Sequence, residues 1–141
     1  MEVARLIVFS VVVRAAILWA SVAIVARGNP RNGFGRALIA TAILIGLQML
    51  WPLVIPESVA LLVACWAVAL LAVLLVGYRL SLLRAGLATV LGFAGYFVMI
   101  VLFDVVHGNE VAEFAYLTGL PAAVVVAWLV LRRRSGTRGS R

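Results

Sequence analysis

The stretch Ser58–Tyr78, SVALLVACWAVALLAVLLVGY, contains no charged residue and no proline. A helix that crosses a bilayer needs about 20 predominantly apolar residues, and this stretch supplies them. Four more runs of the same character lie around it: Leu6–Val25, Ala37–Ile55, Ala85–Val106 and Phe114–Leu131. Pro52 and Pro56 close the second of these. The sequence therefore predicts an all-α membrane protein, a bundle of five transmembrane helices. These form a single domain over residues 1–131, and a basic tail occupies 132–141.

Composition agrees with that reading. Of the 141 residues, 66% are apolar and 12% charged, against about 45–50% and about 25% in an ordinary soluble domain. A soluble chain of this size has too much surface for its volume to hide so many apolar side chains. The formal charge of +7 comes from arginine alone, because the chain has no lysine. Most of these arginines punctuate the ends of apolar runs, so they report topology and not nucleic-acid binding. Without lysine, Schiff-base chemistry is excluded. The lone Cys65 cannot form an internal disulfide.

The connections test the five-helix assignment independently. Arg27, Arg31 and Arg36 follow the first run, Arg79 and Arg84 follow the third, and Arg132, Arg133, Arg134, Arg138 and Arg141 follow the fifth. The second connection holds only Glu57, and the fourth holds Asp104, His107, Glu110 and Glu113. Basic and non-basic connections alternate, as an odd number of crossings with positive residues kept inside requires. The N-terminus is then outside and the C-terminus cytoplasmic, in a cell membrane that the composition suggests is a bacterial inner membrane. The aromatic residues Trp51, Phe103, Phe114 and Tyr116 fall near the outer boundary, and Phe34, Tyr78 and Trp128 near the inner one. A cleaved signal peptide is the rival reading of the first run. Arg14 interrupts the apolar core such a peptide needs, and cleavage would leave Arg27, Arg31 and Arg36 outside.

Two patterns bear on assembly. Arg36–Ile43 and Arg84–Leu91 both read Arg-Ala-x-aliphatic-Ala-Thr-x-aliphatic, which suggests duplicated helical hairpins over 36–79 and 84–134. Small residues also recur on helical faces: Ala85, Ala88, Gly92 and Gly95; Gly119, Ala123 and Ala127; Ala16, Ala20 and Ala23. Lipid removes the hydrophobic drive for helix association, so such stripes supply close packing. They are expected to meet inside the bundle or, alternatively, to form a seam with a second copy.

Arg14 is the most informative polar residue. Near the middle of a transmembrane helix an arginine costs about 2.5–3.5 kcal/mol. Either it snorkels along its stem to the headgroups or it faces an interior site. At about 1.5 Å per residue, Arg14, Gln48 and Tyr96 lie roughly 12, 10 and 15 Å below the outer ends of their helices. The expected site is a polar cluster of Arg14, Gln48 and Tyr96, with Asp104 above them as counter-charge. Asp104, His107, Glu110 and Glu113 recur every three residues, but Gly108-Asn109 reads as a turn that breaks their common face. One histidine excludes bis-histidine haem ligation, and no metal or other cofactor is expected. No acid lies mid-helix, where an antiporter or pump needs one.

The expected function is a non-catalytic accessory or structural subunit of a membrane assembly. Its partners would be membrane lipids and other membrane subunits or further copies of itself. The alternative is a small homo-oligomeric transporter or channel for an anion or lipid, with its polar site at Arg14. A membrane enzyme or redox subunit using His107 is a third and weaker reading.

Overall fold

A computed structural model of the chain describes residues 2–53 and 58–136. Five α-helices follow one another: α1 (Glu2–Val25), α2 (Phe34–Leu50), α3 (Val59–Val76), α4 (Leu82–Val106) and α5 (Glu110–Gly136). There is no strand among the described residues. Four helices are long and apolar enough to cross a membrane, through Val3–Val25, Val59–Val76, Leu82–Val106 and Glu110–Val130. The other, α2, has 17 residues and continues into a 3-10 turn over Trp51–Leu53. Glu57 and residues 137–141 lie outside the described residues.

Helix ends follow local chemistry more than hydropathy. Pro52 has no N–H to give the Gln48 carbonyl. The regular helix therefore stops at Leu50, short of the apolar run's end at Ile55. α5 starts a turn earlier than its apolar run because Asn109 caps it, the Asn109 Oδ1 accepting from the Ala112 N–H at 3.2 Å. Glu110 and Glu113 in that first turn also suit the positive end of the helix dipole. At its other end α5 runs on through residue 136, so the first part of the expected tail is helical.

α1 is the central helix. It packs against α2, α4 and α5, while α3 packs against α4 and α2. The contiguous core lies at one end of the bundle: Ala15, Leu18, Val22 and Ala26 of α1; Phe34, Ala37, Ala40 and Leu44 of α2; Leu70, Leu74, Tyr78 and Leu80 in and after α3; Ala85 and Ala88 of α4. This end carries the arginine-bearing connections 26–33 and 77–81, and we call it the basic end. The opposite, acidic end carries Asp104, His107, Glu110 and Glu113. The matching segments of α2 and α4 bury the same three positions, Ala37, Ala40 and Thr41 in one and Ala85, Ala88 and Thr89 in the other.

The small-residue stripes divide. The stripe on α4 is packed: a Cβ at Gly95 would lie 2.9 Å from the Ile17 Cγ2, and one at Gly92 would lie 3.6 Å from Leu70. The stripe on α5 faces outward, with Gly119, Ala123 and Ala127 exposed, contrary to the expectation that all three stripes meet inside. The reason is a bulkier face on the same helix. Leu117, Pro121, Val124 and Trp128, at steps of four and three, turn toward α1 and α2, and Trp128 stacks 5.6 Å from Phe34. On α1, Ala16 and Ala23 are half-buried and Ala20 is exposed.

Candidate functional site

Arg14 lies on α1 just beyond the sealed core, on its acidic-end side. Its Nη1 donates to the Gln48 Oε1 at 2.8 Å and its Nη2 to the Tyr96 hydroxyl at 2.6 Å. The guanidinium also sits over the Tyr96 ring, 4.5 Å from the centroid, a cation–π geometry. α1, α2 and α4 thus bring Arg14, Gln48 and Tyr96 together. Tyr96 in turn lies 5.9 Å from Trp66, which meets Phe93 edge-on at 4.7 Å. Trp66 is absent from the cluster expected from the sequence, because only the rotation of α3 about its axis decides that contact.

Asp104 does not join. It is exposed, and its carboxylate makes no ion pair among the described residues. Tyr96 and Asp104 stand two helical turns apart on α4, roughly 12 Å along the axis, and the guanidinium is held down by Gln48 and Tyr96. The positive charge of Arg14 is therefore met only by neutral groups. Donors also outnumber acceptors here: the Arg14 Nε and the Trp66 Nε1 are both buried without a hydrogen-bond partner among the described residues.

Two clefts flank the cluster, and Arg14 and Tyr96 line both. One, of about 300 Å³, lies between α1, α4 and α5 beside Phe9, Met99 and Phe103. The other, of about 260 Å³, lies between α2, α3 and α4 beside Gln48, Trp51 and Trp66. Between them a hole of about 30 Å³ touches Arg14, Thr41, Trp66 and Tyr96, room enough for a water molecule. The chain matches no known family model, no curated protein and no solved structure.

At the acidic end, the His107 Nδ1 lies 3.4 Å from the Glu113 Oε2 across the turn at Gly108, whose φ is +92°. Both side chains reach solvent, as does Glu110. The turn keeps Asp104, His107, Glu110 and Glu113 off a single helical face. No three His, Cys, Asp or Glu side chains gather closely enough to hold a metal ion among the described residues. Nearby, Arg5 lies over the Phe114 ring at 5.1 Å, and the Tyr116 hydroxyl donates to the Met99 carbonyl at 2.9 Å.

Proposed function

We propose that this chain is a non-catalytic subunit of a membrane assembly, held to its partner by an ion pair that Arg14 completes. The proposed topology has five crossings of a cell membrane, with the acidic end outside and the basic end cytoplasmic, as the arginine distribution requires. The observation that carries the proposal is the guanidinium of Arg14, hydrogen-bonded to Gln48 and Tyr96 and to no anion. A charge at that depth is stable when it meets an opposite one. The partner is a transmembrane helix bearing an Asp or Glu in its outer half. A carboxylate presented there neutralises the charge and offers acceptors to the unpaired donors.

Two arguments favour that partner over others. Arg14 lies roughly 12 Å inside the apolar run that begins at Leu6, and its guanidinium is turned to Gln48 and Tyr96 instead of extending toward a lipid phosphate. A second copy of the chain lacks the needed group, since its acids stand at positions 2, 57, 104, 110 and 113, in connections or near helix ends. The test is native mass spectrometry of the tagged chain extracted from its own membrane in mild detergent, beside Arg14→Leu. The expected result is a stoichiometric partner with a mid-helix acid, lost in Arg14→Leu while helicity is kept. A partner equally retained by Arg14→Leu overturns the reading.

A second reading draws on the clefts, which open beside Arg14 on two sides of α4. A homo-oligomer exchanging an anion or lipid would use such openings. It predicts one homogeneous self-assembly and solute exchange in liposomes. The tightly packed basic end weighs against a path through a single copy.

A further inference from the structure

A second polar cavity lies at the basic end, away from Arg14. It occupies about 650 Å³ between the connection after α1 and the connection leading into α4. Arg27, Arg31, Arg79 and Arg84 all line it, together with Tyr78 and Ser81. Topology accounts for arginines at this end of the bundle, but it does not require them to converge on one concavity.

The fold builds that convergence. Asn29 accepts from the Arg31 N–H at 2.9 Å through its Oδ1 and donates to the Tyr78 carbonyl at 3.1 Å through its Nδ2, so the two connections are tied together. Arg79 holds a left-handed backbone, φ 52°, and the chain turns back so that the Leu80 N–H donates to the Leu74 carbonyl at 3.2 Å. Positive φ is unfavourable for a residue with a Cβ, yet it is Arg79 and not neighbouring Gly77 that adopts it.

Two observations then point to a ligand of one sign. None of the four arginines forms an ion pair among the described residues, where the acids at Asp104, Glu110 and Glu113 stand at the opposite end. The 25-residue α4 begins at the cavity, and its N-cap, Ser81, makes no side-chain capping bond, so the N–H groups of its first turn are free to receive an anion. Every group named is a donor or a positive charge.

We propose that this cavity binds a phosphate-bearing anion. Arg79 and Arg84 carry its charge, and the first turn of α4 receives its oxygens. Basic pockets at the cytoplasmic ends of transmembrane helices suit lipid headgroup phosphates, and the same chemistry serves a free phosphate from solution. The test uses the full chain in nanodiscs of phosphatidylcholine, titrated with phosphatidylglycerol in one arm and inorganic phosphate in the other. Intrinsic tryptophan fluorescence and native mass spectrometry read binding. Arg79→Gln/Arg84→Gln is expected to lose affinity by about tenfold or more. Arg5→Gln, a charge removed at the far end, is expected to bind as the parent does.

Saturation in the first arm alone identifies a lipid headgroup, and saturation in the second a soluble phosphate. Arginine modification by phenylglyoxal, mapped on the unmutated chain, provides a reading independent of variant folding. Arg79 and Arg84 are expected to be protected by the bound anion and Arg5 not. Equal affinity in the parent and the double variant, or no protection of Arg79 and Arg84, overturns the proposal.

Discussion

The basic half and the acidic half of this bundle are built from the same apolar residues, yet only in the basic half do the helices close on a contiguous buried core. In the basic half, Ala15, Ala37, Ala85, Leu74 and Val22 have essentially no exposed surface. In the acidic half, Leu50, Phe97, Val98, Leu102 and Val105 stand open, and clefts run to Arg14 from two sides. Hydrophobicity does not separate the two halves; side-chain size does. Alanines and a threonine recur at the contact positions of α2 and α4, so these helices come close to α1. Beyond Leu44 the facing residues are Gln48, Trp66, Phe93 and Tyr96, and Arg14 stands between them. Where lipid offers no hydrophobic drive, close approach of small residues is what holds helices together.

That contrast predicts the largest difference among simple truncations. Leu74 is fully buried and Leu102 is 45% exposed. Leu74→Ala is expected to cost about 2–4 kcal/mol through lost contacts and a cavity, while Leu102→Ala stays within about 0.5 kcal/mol. Circular dichroism melts in one detergent check the pair. Equal costs would mean that the two halves are equally packed, and the comparison would fail.

Much of this architecture was legible in the residues. Five helices followed from run lengths, and the level shared by Arg14, Gln48 and Tyr96 followed from counting residues along each helix. Rotation about the helix axis was not legible, and the misplaced stripe on α5 traces to it. Gly119, Ala123 and Ala127 look like a packing face, but Leu117, Pro121, Val124 and Trp128 offer more contact surface on the same helix and take the inward position. Asp104 was expected above Arg14, within reach as its counter-charge, but two neutral acceptors closer to the guanidinium hold it instead. The cavity of Arg79 and Arg84 was hidden for a different reason. Arginines in a connection look alike whether they diverge into solvent or converge, and the Asn29 bridge that converges these spans 49 positions of sequence.

The glycines sharpen the comparison at the next scale. A methyl at Gly95 meets Ile17 at 2.9 Å, so Gly95→Ala forces α1 and α4 apart and is expected to cost about 1–2 kcal/mol. A methyl at Gly119 meets nothing within 4 Å. Gly119→Ala is expected to stabilise the isolated chain by about 0.5–1 kcal/mol through helix propensity. Thermal midpoints moving in opposite directions would support the assignment of the two faces. A destabilising Gly119→Ala would place a neighbour against α5.

Tyr96→Phe probes the floor of the open half more gently. It keeps the ring under the guanidinium and removes one acceptor, so the chain is expected to lose about 1 kcal/mol. Under the docking reading, the same change leaves Arg14 freer and tightens its pairing with a carboxylate. Partner retention that rises while the melting temperature falls is the expected combination, read by quantitative co-purification at increasing salt. A parallel fall in both would make Tyr96 a part of the docking surface instead of a holder of Arg14.

The smallest effect concerns the basic half and the buried hydroxyl of Tyr78. Burial disfavours the phenolate of Tyr78, and Arg36 offsets this only in part, so the folded chain holds the proton up to about 12 instead of 10.0. The unfolded chain releases it first. Stability is therefore unaffected below about pH 10 and falls as pH rises from there toward 12, since the folded state binds more proton in that window. Tyr78→Phe has no proton to lose, and its melting temperature is expected to decline less between pH 8 and pH 11 than that of the parent. At pH 8 the two should nearly coincide, because the hydroxyl that is removed has no internal partner among the described residues. Identical alkaline slopes would mean that water reaches Tyr78, and the basic half would then be less tightly closed than its packing implies.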